Sequence, residues 1–178
     1  MWPSVKKRSL VVAMEIPHEL GSIAIPEFLT CDESMIGKER NSNSAHSGSH
    51  QLTVRVYHED TDFSGRVYHA SYLRFLERGR TEWLRAQGFE QRELAARAAV
   101  VFAVRRIEID YLRPALMDDL LTIETTIAAV GGATVHFRQS VVRGEEKVAK
   151  AVVCIVAMSN GRPVRLPRDM RGQFSVQK

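Results

Sequence analysis

The stretch from residue 120 to 158 restricts the possible folds more than any other. LLTIETTIAAV (120–130), ATVHFRQSVV (133–142) and KVAKAVVCIVAM (147–158) are β-patterned runs separated only by Gly131-Gly132 and by RGEE. Connections this short join antiparallel neighbours, because a parallel pair needs a crossover of about a dozen residues. Upstream, LTVRVYH (52–58) alternates Leu52, Val54 and Val56 against Thr53, Arg55 and Tyr57, and VVFAVRRIEIDYL (100–112) runs to Arg113-Pro114. Both read as strands, which makes five.

One long helical pattern interrupts the strands. In SYLRFLERGRTEWLRAQG the apolar residues Tyr72, Phe75, Leu76 and Trp83 share a face with Gly79, and Gly88 supplies a stop. Other faces carry Arg74, Glu77, Arg78, Glu82 and Arg85, with Arg78 and Glu82 one turn apart. Gly79 costs about 1 kcal/mol relative to alanine inside a helix, so either another chain segment passes close by or the cost is tolerated without purpose. FEQRELAARA (89–98) reads as a shorter second helix. A helix after the first strand only, followed by strands in tight succession, defines an α+β fold: an antiparallel sheet with the helix (70–87) on one face. A doubly wound nucleotide fold is excluded.

At 178 residues and 44% hydrophobic content the chain supports one core. Residues 1–50 hold Pro3, Pro17 and Pro26, lack a sustained period and end in GKERNSNSAHSGSH, so they are expected to form a flexible extension. Residues 51–160 make the domain, and 161–178, with GRPVRLPRDMR, read as a solvated basic tail. The net charge of +4 is spread over scattered arginines, which suits anionic ligands such as phosphates better than a nucleic-acid stripe. Cys31 and Cys154 lie far apart, so no disulfide framework is expected and a reducing compartment fits. LVVAM after Lys6, Lys7 and Arg8 is too short for a signal core or a membrane span, and no other run reaches spanning length, so the expected location is the cytoplasm.

Chemistry concentrates in VYHEDTDFSGRVYHASY (56–72). Asp60, Asp62, Ser64 and Gly65 imitate the opening of a calcium loop, but the twelfth position, where a bidentate glutamate belongs, is Ser71. His58, Asp60 and His69 supply too few ligands for a transition metal, and no H-E-x-x-H or C-x-x-C occurs, so no metal is expected. Acidic residues that merely solvate a strand-to-helix turn are the bland alternative. Against it stands a physical basis for acyl transfer, since a helix N-terminus polarises a carbonyl oxygen while a nearby carboxylate attacks or deprotonates water.

The motif Y-x-E-D-T-D-x-x-G-x-V-Y-H-x-x-Y, continued by FAVRRIEIDYLRPALMDDLLTIET, resembles the hotdog-fold thioesterases of the 4-hydroxybenzoyl-CoA thioesterase type. Within that type the likeness is greatest to the YbgC-like acyl-CoA thioesterases associated with the Tol-Pal system, and it spans about residues 52–160. The resemblance implies a curved five-stranded antiparallel sheet around one long central helix, a homodimer joined edge to edge or a tetramer of such pairs, and active sites at the subunit interface. Its implied substrate is an acyl-CoA, or an acyl-ACP, with no cofactor. Asp62 matches the family's catalytic carboxylate, as nucleophile or general base. His69 matches the histidine whose backbone N–H binds the thioester carbonyl.

Tyr57 and His58 align with two tyrosines of near relatives, so histidine stands where the second, catalytic, tyrosine is expected. Gly65, Arg66, Tyr68 and Tyr72 complete the expected substrate-binding set. Arg66 departs from the small or aliphatic residue of relatives, and is read as depressing the Asp62 pKa, as meeting a CoA phosphate, or as a plain exposed arginine. Glu59 and Asp60 are expected to hold the turn. His136 and Cys154 read as ordinary strand residues. The rival reading is a non-enzymatic acyl-CoA or acyl-ACP binding or scaffold protein linked to envelope or lipid metabolism. A P-loop, a dinucleotide fingerprint and a G-x-S-x-G elbow are all absent from the sequence, which argues against a nucleotide enzyme or a serine hydrolase.

Overall fold

The computed structural model describes residues 9–13 and 49–175. In chain order the elements are β1 (Ser9–Ala13), β2 (His50–Arg55), a 3-10 turn (His58–Asp60), α1 (His69–Ala86), α2 (Gln91–Ala98), β3 (Val101–Tyr111), β4 (Leu120–Val130), β5 (Thr134–Arg143), β6 (Glu146–Ser159), β7 (Arg162–Pro163) and α3 (Arg168–Ser175). The strands form one sheet in the order β1-β3-β6-β5-β4-β2, with β7 on β6, and every pairing is antiparallel. The five expected strands are β2 to β6, wrapped around α1, which is the hotdog fold.

α1 lies on the sheet because its apolar stripe has no other place to go. Phe75, Leu76 and Trp83 are fully buried and Tyr72 nearly so, packed with Ile123, Val135, Phe137 and Val153 of the sheet. Each such side chain contributes about 1.5–3 kcal/mol by leaving water. Gly79 proves to be a point of close approach. A Cβ there would stand 2.7 Å from Ile123 Cγ2, 3.0 Å from Thr125 Oγ1 and 3.2 Å from Gln139 Nε2. Beneath it Gln139 donates to the Leu76 carbonyl and to Thr125 Oγ1, both at 2.9 Å, and accepts from Arg80 Nη1 at 2.9 Å. Arg80 therefore sits within the buried face, where desolvation lowers its pKa to about 10.

α1 ends as expected: Gly88 takes φ +82°, its N–H bonds Arg85 O, and Phe89 N–H bonds Leu84 O, a six-to-one closure. The expected pairing of Arg78 with Glu82 is not among the ion pairs of the described residues. Arg85 takes Glu82 and Glu90 instead, and Arg78 lies over the Phe75 ring.

Two segments differ from expectation. Most of 1–50 lies outside the described residues, but Ser9–Ala13 adds a strand to β3, and its SLVVA sequence is rich in β-branched residues that suit one. The solvated-tail reading of the C-terminus gives way to packing. After β7, Leu166 N–H bonds Gly132 O, and Leu166, Met170 and Phe174 are buried. The Phe174 ring lies 5.0 Å from Trp83 and 5.8 Å from Phe89. The tail is basic on its outside and apolar at every fourth residue, so it closes the core at the C-terminal end of α1.

Candidate active site

The acidic turn is built on a buried clamp. Val56, fully buried, fixes the entry: its N–H bonds Asp119 O and its carbonyl accepts from Asp118 N–H. Asp60 is 2% exposed and its carboxylate is fully engaged, Oδ2 accepting from Tyr57 N–H at 3.1 Å and Oδ1 from Arg74 Nη2 at 3.0 Å. Its carbonyl accepts from Tyr68 N–H at 2.8 Å. One residue thus ties the turn to the residue before α1 and, through Arg74, to the second turn of the helix. Asp60 holds the loop, as its sequence position led one to expect; Glu59 is exposed.

Asp62 stands at the mouth of a tight loop. Its N–H bonds Arg66 O and its carbonyl accepts from Gly65 N–H, both at 2.9 Å, while Thr61 and Val67 bridge the loop base. Gly65 takes φ +71°, a conformation that L side chains rarely adopt. The Asp62 carboxylate is oriented by Ser64, whose N–H and Oγ donate to Oδ1 at 2.8 and 2.6 Å. The Ser64 hydroxyl, then its N–H, hold the Asp62 pKa below the ordinary value of 3.8, with Arg66 contributing least. The anion is therefore the resting form, and Arg66 is an exposed residue with a minor electrostatic part in it.

α1 opens beside this loop without a cap. Tyr68 occupies the N-cap position in an extended conformation and makes no side-chain cap bond. Ser71 N–H bonds Tyr68 O at 2.8 Å, which leaves the amides of His69 and Ala70, like those of any first turn, without an intrahelical acceptor. His69 and Tyr68 are exposed, with ring centroids 4.2 Å apart. Neither His58 nor His69 hydrogen-bonds the Asp62 carboxylate among the described residues. His58 opens the 3-10 turn and its carbonyl accepts from Thr61 Oγ1 at 2.8 Å. Tyr57 is 61% exposed, whereas Tyr72 is 3% exposed and lies under the site.

The end of β3 and the β3–β4 connection back this motif through contacts that no local pattern marks. Tyr111 Oη donates to His69 O at 2.9 Å, Ala115 N–H donates to Tyr72 Oη at 3.1 Å, and Val67 N–H bonds Ala115 O at 2.9 Å. Arg143 anchors the same connection through Asp119 at 2.7 Å. The three contacts to the motif each span more than 40 residues, beyond any local pattern.

Exposed apolar side chains occur in the motif and in the β3–β4 connection that bridges to it at Arg66 and Leu116: Phe63 is wholly exposed, and Tyr57, Tyr68, Leu116, Met117 and Leu120 are each about half exposed. A cleft of about 490 Å³ between α1 and β3 is lined by Leu73, Arg74, Glu77, Arg78, Arg80, Val104 and Ile107 and does not include Asp62. No cluster of three or more His, Cys, Asp or Glu suited to a metal occurs among the described residues. No helix among them is long and apolar enough to cross a membrane.

Sheet, helix and turn together define a class: the chain belongs to the thioesterase-like superfamily, whose family model matches residues 56–174. Among individual proteins, it is 43% identical over 123 residues to the acyl-CoA thioesterase YbgC of Haemophilus influenzae, covering 68% of this chain and 90% of that protein. It is 42% identical to the acyl-CoA thioester hydrolase YbgC of Escherichia coli O6:H1, covering 68% and 92%. The crystal structure of a probable thioesterase from Bartonella henselae superposes with a TM-score of 0.65 at 46% identity, covering 67% of this chain and 99% of that one.

Proposed function

We propose that this chain is an acyl-CoA thioesterase of the cytoplasm, hydrolysing the thioester to a free acid and CoA. The observation that carries the reading is the Asp62 carboxylate, kept ionised and aimed by Ser64, in the same short motif as the uncapped start of α1. In this reading the thioester carbonyl accepts from the first-turn amides at His69 and Ala70, which stabilise the charge that builds on its oxygen. Asp62 removes a proton from water as it attacks, or attacks the carbonyl itself to form an anhydride that water then opens. The C–S bond breaks, CoA leaves as thiolate and takes up a proton. Curated relatives named as acyl-CoA thioesterases at 42–43% identity support the substrate class.

The working unit in this reading is a homodimer. One protomer leaves Asp62 and the exposed apolar side chains of the motif and the β3–β4 connection open to water, and a second copy supplies the wall that excludes it. Tyr57, Gly65, Arg66 and Tyr68 then line the approach of CoA, and Tyr72 supports it from below. The test is turnover of butyryl-, hydroxybenzoyl- and long-chain acyl-CoA, followed by release of free thiol. Release with at least one of them is expected. Saturable binding with no release across the panel contradicts the enzyme and favours an acyl-binding protein.

A further inference from the structure

β1 raises a question of occupancy. It pairs antiparallel with β3 in continuous register, from Ser9 opposite Asp110 to Ala13 opposite Arg106. Without it β3 would be the edge of the sheet, because the order continues from β3 directly to β6. A strand's outer N–H and C=O groups can be paired only once, so whatever holds residues 106–110 excludes any other strand there.

That same edge is suited to a second copy of the chain. β3 is 11 residues long, against 6 for β2 at the opposite edge. Arg106 and Glu108 lie side by side on one face of β3, their side chains 2.6 Å apart. A two-fold axis through Ile107 would set Arg106 of each copy opposite Glu108 of the other, a reciprocal charge match that an isologous interface requires. β1 offers nothing equivalent, since it places Val11 opposite Glu108 and Ala13 opposite Arg106. Its advantage is that it belongs to the same chain, and so competes at a fixed effective concentration whatever the protein concentration.

We propose that β1 is a cis-acting plug on the β3 edge, which a second copy must displace before the two sheets join, so that the N-terminal segment sets the concentration at which the working dimer assembles. This rests on the dimer reading above. A plug seated about nine-tenths of the time leaves about a tenth of each copy competent, and because both copies must be open it raises the apparent dimer dissociation constant about a hundredfold.

Two variants test it by sedimentation equilibrium, with turnover at dilute enzyme as a second readout. Successive N–H groups of a strand point to opposite sides, so Val11→Pro with Val12→Pro removes a donor facing β3 in either phase. It is expected to lower the dissociation constant about a hundredfold and to raise dilute turnover in step. The converse variant, Ser9→Cys with Asp110→Cys, which face each other across β1 and β3, in a Cys31→Ser background, locks β1 in place when oxidised and leaves Arg106 and Glu108 intact. It is expected to form the disulfide within one chain, to stay monomeric, and to regain the dimer on reduction. A dissociation constant unmoved by the prolines, or a locked chain that dimerises as well as the reduced one, overturns the plug while leaving the dimer standing. A proline variant that is monomeric at every concentration overturns the edge dimer, and the plug with it.

Discussion

Replacing Gly79 by alanine sets two opposed effects against each other, and the structure decides the sign. In an exposed helix the change is stabilising by about 1 kcal/mol, because alanine gives up less backbone freedom. At Gly79 the new methyl would sit 2.7 Å from Ile123 Cγ2 and 3.0 Å from Thr125 Oγ1, both on fully buried residues, and 3.2 Å from Gln139 Nε2. Overpacking of that kind costs about 1–3 kcal/mol. Displacing Gln139 also weakens its bonds to Leu76 O and Thr125 Oγ1, at about 1 kcal/mol. The net expectation is a loss of about 1–3 kcal/mol, read as a lower urea midpoint with an unchanged slope. An alanine variant as stable as the parent, or more so, would refute the claim that α1 is seated by contact at this residue.

Ser64→Ala removes the largest influence on the Asp62 carboxyl, so its pKa should rise toward the ordinary value. The active form is the anion, present above the pKa and lost as pH falls through it, so the acid limb of kcat/KM should move to higher pH in the variant. An unmoved limb would mean that Asp62 does not govern it. Phe174→Ala empties a buried contact against Trp83 and Phe89 and should cost about 3 kcal/mol, seen as a fall in Tm. A change within error would return the C-terminal segment to the status of a loose tail.

Much of the fold was legible because its signals are local. β2, β4, β5 and β6 alternate or run apolar between short turns, and the stripe from Tyr72 to Trp83 is helical in period. α3 was missed although its signal is present: Leu166, Met170 and Phe174 recur every fourth residue, but arginines and two prolines hide the stripe in a short segment. β7 is two residues long, below the reach of any pattern. In the site, the turn and Asp62 were legible from residue type and spacing. Tyr111, Ala115 and Asp119 were not, because they reach the motif only through the pairing of distant strands. Tyr72 could be read as lining the site or as core, and only its burial separates the two.

The central claim is that the Asp62 carboxylate does the chemistry, and Asp62→Asn tests it most directly. Asparagine keeps the Oδ1 that Ser64 holds, so the loop should persist while the anion is lost. The account predicts an unchanged Tm and a kcat lower by about 10²–10⁴-fold on the best acyl-CoA of the panel. A variant that folds as the parent does and turns that substrate over at the parent's rate would contradict it.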